Sequence, residues 1–117
     1  MDRAYKEKVF EVIKDHNHET VIITGATLSR FSDTEVVITT DVLIRLDDYD
    51  WVANEHYLVN KNGSVARLLS WNGASVESLK QSLAAAIGGT EPVTDERVVR
   101  VCLKVAAREF PQLALLS

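Results

Sequence analysis

The sequence predicts an α+β fold: an N-terminal helix, a four-stranded antiparallel meander and two C-terminal helices packed on one face of the sheet. Three observations lead there. Residues 34–46, TEVVITTDVLIRL, alternate with a period of two, so that Val36, Ile38, Thr40, Val42, Ile44 and Leu46 share one face. Glu35, Thr39, Asp41, Arg45 and Asp47 fall on the other face, as in a strand with one wet side. Two Asn-Gly pairs, Asn62-Gly63 and Asn72-Gly73, punctuate the chain downstream of this strand. Helical spacing, finally, can be read at both ends of the chain.

At the N-terminus, Tyr5, Val9, Val12, Ile13 and His16 gather on one side of a helical wheel, and a helix over residues 2–16 is expected. Asn17 suits the left-handed residue that closes such a helix. TVIITGATLSRF is rich in β-branched residues and reads as the first strand. Phe31-Ser32-Asp33-Thr34 is the expected turn into the second. Residues 34–46, if unbroken, would span about 43 Å at ~3.3 Å per residue, so a strong twist, a bulge or a break is expected near Thr39 to Asp41. Asn62-Gly63 fits a two-residue hairpin turn, which would pair Lys61 with Ser64, Val59 with Ala66 and Tyr57 with Leu68.

Asn72-Gly73 ends the strands, and Ser75 is a good N-cap for the next helix. Val76, Leu79, Leu83, Ala86 and Ile87 form its apolar stripe, and Gly88-Gly89 stops it. Thr94 is placed to cap the last helix, with Asp95 and Glu96 in its first turn, where the helix dipole favours acids. That helix is expected to run to about Glu109, before Phe110-Pro111.

With 117 residues, 46% hydrophobic and 26% charged, the chain suits one globular domain over 1–117 and is not a disordered polymer. The single cysteine, Cys102, excludes an internal disulfide. No stretch approaches the ~18 apolar residues of a membrane span. MDRAYKEKVFEVIKD does not read as a signal peptide, and a cytoplasmic location without membrane contact is expected.

The net charge of −4 is unevenly spread. Residues 31–60 hold seven acids and one base, a net −6, while the remainder holds ten acids and twelve bases, a net +2. Acids and aromatics meet in RLDDYDWVANEHY, residues 45–57. The reading drawn from this is a small non-catalytic protein-binding module. Its contact residues would be Asp41, Asp47, Asp48, Tyr49, Asp50, Trp51 and Glu55, set against a basic, nucleic-acid-binding partner. In size and charge layout alone the chain is similar to viral counter-defence inhibitors, such as anti-CRISPR proteins, and to immunity proteins that block nucleases.

Other clusters point elsewhere. His16, His18 and the neighbouring carboxylates could ligate zinc, but His16 sits on the apolar face of the expected helix and suits a core role better. His16, His56, Asp50 and Tyr57 would be the groups of an enzyme or ligand pocket between the sheet and the first helix. An EF-hand reading of Asp48 and Asp50 fails at Val52 and Ala53. No catalytic, metal or cofactor residues are therefore assigned.

On the last helix, Arg97, Arg100, Lys104 and Arg108 fall within an arc of about 80° and form a basic ridge. Such a ridge could meet phosphates directly, against which the negative net charge argues. Apolar residues occupy most of the remaining circumference, which suggests a helix clasped on two sides, within the chain or by a second copy as a homodimer. VIITGAT, residues 21–27, resembles the first strand and turn of a short-chain dehydrogenase over those seven residues. The family's further glycines and its helix are not there, for LSRF and a second strand come next, so the run reads as a strand containing a glycine.

Overall fold

The computed structural model describes residues 4–16, 19–69, 71, 75–84 and 89–116. Six antiparallel strands lie side by side in chain order: β1 (Ala4–His16), β2 (Glu19–Arg30), β3 (Glu35–Leu46), β4 (Asp50–Asn60), β5 (Val65–Leu68) and β6 (Thr90–Pro92). Helix α1 (Val76–Ala84) comes after β5, and helix α2 (Glu96–Ala106) after β6. A short 3-10 turn, Pro111–Leu115, ends the described chain. No described helix is long and apolar enough to cross a membrane.

The expected N-terminal helix is instead β1, paired with β2 from Ala4↔Ser29 to His16↔Glu19. Register shifts between Lys8 and Glu11 and between Val12 and Lys14 explain the misleading pattern. Each bulge adds a residue and breaks strict alternation, so the apolar positions drift into a helix-like spacing. The charges have a tertiary role too. Glu7 receives a hydrogen bond from Arg108 Nε, and Glu11 lies 3.2 Å from Arg100 Nη1, partners far away in the sequence. Lys6 and Lys8 alternate with those acids along an edge strand, where charge discourages pairing with another chain. Asn17 and His18 and the side chain of His16 lie outside the described residues.

The meander accordingly has six strands rather than four, and its two helices lie on opposite faces rather than one. Val98, Val101, Cys102, Leu103, Val105 and Ala106 of α2 are buried on the face made by Ile23, Ala26, Leu28, Val36, Ile38, Tyr57 and Val59. Leu79 of α1 is buried on the other face with Val37 and Leu68, beside Phe31, Leu58, Trp71 and Leu83. β3 supplies both cores because Val36 and Ile38, near its start, face α2 while Val37 between them faces α1.

The β4–β5 hairpin determines which face takes α1. Its register is Tyr57↔Arg67, Leu58↔Ala66 and Val59↔Val65, one residue away from the pairing that a two-residue turn would give. Asn60 N–H donates to Ser64 O (2.9 Å) and Gly63 N–H to Asn60 O (2.8 Å), closing a three-residue loop with Gly63 at φ +96°. A one-residue change of register exchanges the faces, so Leu68 turns towards α1 instead of α2.

The irregularity expected in β3 falls on its neighbour. β3 pairs with β4 without a shift, whereas in β2 the register slips between Ile23↔Val42 and Gly25↔Asp41. A Cβ at Gly25 would lie 3.0 Å from Asp41 Oδ2 and 3.2 Å from Glu7 O, so this glycine serves close strand packing.

Ser75 caps α1, its Oγ accepting from Ser78 N–H at 3.0 Å. Residues 72–74 and 85–88, with the second Asn-Gly pair and the expected end of that helix, lie outside the described residues. The cap of α2 is Asp95 rather than Thr94, with Arg97 N–H donating to Asp95 Oδ1 at 2.9 Å. The sheet takes one side of α2 and the 3-10 turn another, with Leu113 wholly buried.

Candidate interaction surface

Strands β3 and β4 are joined by a tight turn in which Leu46 N–H donates to Tyr49 O at 3.0 Å. The last cross-strand pair is Arg45↔Asp50, tied by Arg45 Nε to Asp50 Oδ1 at 3.2 Å. Beyond it the hairpin tip carries Asp47, Asp48 and Tyr49, all exposed. Tyr49 and Trp51 contact each other, ring centroids 5.8 Å apart and tilted by 53°. Both stay largely in solvent, at 57% and 47% exposure, and the adjacent Val52 reaches 76%. Rigid aromatics with little packing to lose, set among carboxylates, are the composition of a recognition surface.

Of the residues expected to form that surface, Asp47, Asp48, Tyr49, Asp50 and Trp51 come together at the tip. Asp41 and Glu55 do not join them. Asp41 sits mid-sheet on the α1 face, 3.4 Å from Lys6 Nζ and accepting from Asn54 Nδ2 at 3.1 Å. Glu55 points to the α2 face, 3.4 Å from Arg67 Nε. The acids of the middle third are thus split between faces and ends, and Asp33, at the opposite end, pairs with Arg30.

The second residue set is dispersed. His56 and Tyr57 are consecutive on a strand and face opposite sides, while Asp50 lies at the tip. No pocket against an N-terminal helix exists, because that segment is β1. His56 Nδ1 is 2.9 Å from Thr39 Oγ1, and its ring packs edge-on against Trp71 at 4.8 Å. Burial lowers the imidazole pKa, against a smaller upward pull from Glu55. Burial likewise raises the Tyr57 phenol, as do Cys102 and Glu55. Cys102 is wholly buried, its thiol pushed up to about 12 by desolvation. Among the described residues no group of three or more His, Cys, Asp or Glu is placed to hold a metal ion.

The basic ridge is largely spoken for. Arg97 Nη1 donates to Val12 O at 3.0 Å, Arg100 meets Glu11, and Arg108 meets Glu7. Arg97 and Arg100 therefore lash α2 to β1, Arg108 ties the chain just past the helix end, which comes at Ala106 and not near Glu109, and Lys104 alone is without an ion pair among the described residues.

Two concavities accompany these elements. On the α2 face a cleft of about 460 Å³ opens beyond the helix N-terminus. Val21, Val42, Ile44 and Ala53 form its floor, with Glu55, Arg67 and Glu91 at its side. The other, about 590 Å³, is the fork where β4 and β5 part, between Asn54–Glu55–His56 and Arg67–Leu68–Leu69, with Trp71 beside it.

Sequence reasoning missed this fork and, with it, Val52, Asn54 and Arg67. β4 runs for 11 residues and β5 for only 4, so β5 pairs with β4 only at Tyr57, Leu58 and Val59. The signal was available in part: only SVARLL separates the Asn62-Gly63 turn from the turn-forming run Ser70-Trp71-Asn72-Gly73, too little chain to flank β4 along its length. Comparison of the chain with protein-family profiles, curated proteins and solved structures finds no match in any of the three.

Proposed function

We propose that the protein is a non-catalytic protein-binding module that uses the β3–β4 tip and the adjoining part of β4 against a basic, nucleic-acid-binding partner, in the manner of an inhibitor covering that partner's groove. The observation that carries this reading is the shared exposure of Tyr49, Trp51 and Val52 beside Asp47, Asp48 and Asp50. Exposed aromatics supply contact area at low conformational cost, and the acids steer a cationic surface onto it. The contact set is accordingly smaller at the tip than the sequence suggested: Asp41 is engaged by Lys6 mid-sheet, and Glu55, 3.4 Å from Arg67 Nε, stands further along β4 on its open stretch.

The test is capture of partners at low and high salt. The wild-type protein is compared with Tyr49→Ser/Trp51→Ser and with Asp47→Asn/Asp48→Asn. The reading expects the aromatic pair to be required at both salts and the acids mainly at low salt. Capture that survives both double substitutions would sink it.

A second reading, binding of a small apolar ligand, is favoured by the cleft on the α2 face, whose floor is aliphatic and whose wall holds an arginine. Ala53→Trp fills that floor. If the protein is a ligand carrier through this cleft, uptake of an apolar fluorescent dye falls in Ala53→Trp and not in Trp51→Ser.

A further inference from the structure

Among the described residues, the part of β4 next to the tip has an open backbone edge. Asn60 N–H bonds towards β5, and Tyr49 O accepts from β3. Backbone groups of an antiparallel strand alternate in direction, and β4 runs without a register shift, so even-numbered residues point away from β3. Val52 and Asn54 thus direct their N–H and C=O to the side that β5 covers only from Tyr57 onward. Among the described residues no strand pairs with Asp50–Glu55 on that side. Such an edge is a template for another strand.

We infer that the partner joins by strand addition: an extended basic segment lies antiparallel along Asp50–Glu55 and extends the sheet. This rests on the protein-binding reading and specifies its mode. The register is set by the side chains that the edge presents. Asp50, Val52 and Asn54 face the α1 side; Trp51, Ala53 and Glu55 face the α2 side. A residue directly opposite each one shares its face. The complementary strand therefore has lysine or arginine opposite Glu55 and Asp50, five positions apart, with apolar residues opposite Trp51, Val52 and Ala53. A further base reaches Asp48 at the tip.

Charge selects this occupant over a second copy of the chain. From Asp47 to Glu55 the edge carries four acids and no base, a charge that complements a basic strand and that a second copy, carrying the same acids, does not complement. Small Ala53 beside exposed Trp51 leaves room for a bulky apolar residue from the incoming strand.

The probe is the octapeptide Lys-Thr-Val-Val-Val-Lys-Val-Lys, whose first residue is set opposite Glu55. Amide hydrogen exchange is followed by NMR at Val52 and Asn54 with the peptide, with its glutamate-for-lysine counterpart, and with the peptide N-methylated at its fourth residue. The lysine peptide is expected to slow exchange at both amides more than tenfold, and the other two are not. Val52→Pro removes one outward N–H at an edge position that tolerates proline, and is expected to abolish the protection.

Binding that persists after N-methylation, without protection of the two amides, would overturn strand addition and leave the protein-binding reading standing. Absence of binding at low salt would overturn it too, and partner capture through Tyr49 and Trp51 would then show that only the mode was wrong. Protection already present in the protein alone, with sedimentation as a dimer, would overturn it in favour of a second copy.

Discussion

The two ends of β4 make opposite use of one strand. From Tyr57 to Val59 it is flanked by β3 and β5, and Tyr57 and Val59 are buried in the core beneath α2. From Asp50 to Asn54 it pairs, among the described residues, with β3 alone, and Asp50, Trp51, Val52 and Asn54 are exposed. Similar residue types give stability at one end, in Tyr57 and Val59, and available surface at the other, in Trp51 and Val52. What separates them is the length of β5 and the reach of the helices, neither of which is a property of β4. Packing is therefore the quantity to perturb at the closed end, and recognition the one to perturb at the open end.

The largest effect is expected at the closed end. Ile38, wholly buried opposite Tyr57, should cost about 2–5 kcal/mol when changed to alanine, read by urea denaturation. A change of less than about 0.5 kcal/mol would mean that this end is not the core. Next comes the hairpin that positions β5. Gly63→Ala places a Cβ at φ +96°, 2.8 Å from Leu116 Cδ1, and should cost about 1–2 kcal/mol without altering the open end. Unchanged amide shifts at Val52 and Asn54 would confirm that independence.

A pH-dependent effect marks the boundary between the two ends. The folded pKa of His56 is lowered by burial, so the unfolded chain takes up its proton more readily. Its contribution is fully present above the ordinary histidine pKa of about 6.5 and is lost as pH falls through the lower folded value. Relative to His56→Gln, the wild type should therefore lose stability between pH 7.5 and pH 5. Parallel stability curves for the two proteins would show that the fork does not desolvate the ring. The smallest stability effect belongs to the open end itself. Trp51→Ser and Val52→Ser should stay within about 0.5 kcal/mol of wild type while weakening partner capture at least tenfold.

Legibility in the sequence tracks how local each cause is. The alternation of β3 is readable because its pairing with β4 is regular over its whole length. The caps at Ser75 and Asp95 are readable to within one residue because a cap is a short-range bond. β1 misleads because its period is interrupted by two register shifts and its acids answer arginines on α2. The placement of α1 misleads because it depends on whether the hairpin loop holds two residues or three, and Asn62-Gly63 is compatible with both. The tip cluster Asp47 to Trp51 is visible as composition. That Asp41 and Glu55 stand apart from it is not, since strand alternation sends Asp41 to one face and Glu55 to the other.

By itself the sequence determined the β-branched character of β2, the apolar alternation of β3, the position of the Asn62-Gly63 turn, the cap of α1, the cap of α2 to within one residue, and the concentration of acid and aromatic side chains around residue 48. Those features arise from residues within a few positions of one another. Tertiary structure alone decided that the N-terminal segment is an edge strand, that the helices cover opposite faces, and that β4 is left open beside the tip. Each of these depends on register and on contacts made across the sheet, where a single inserted residue exchanges inside for outside.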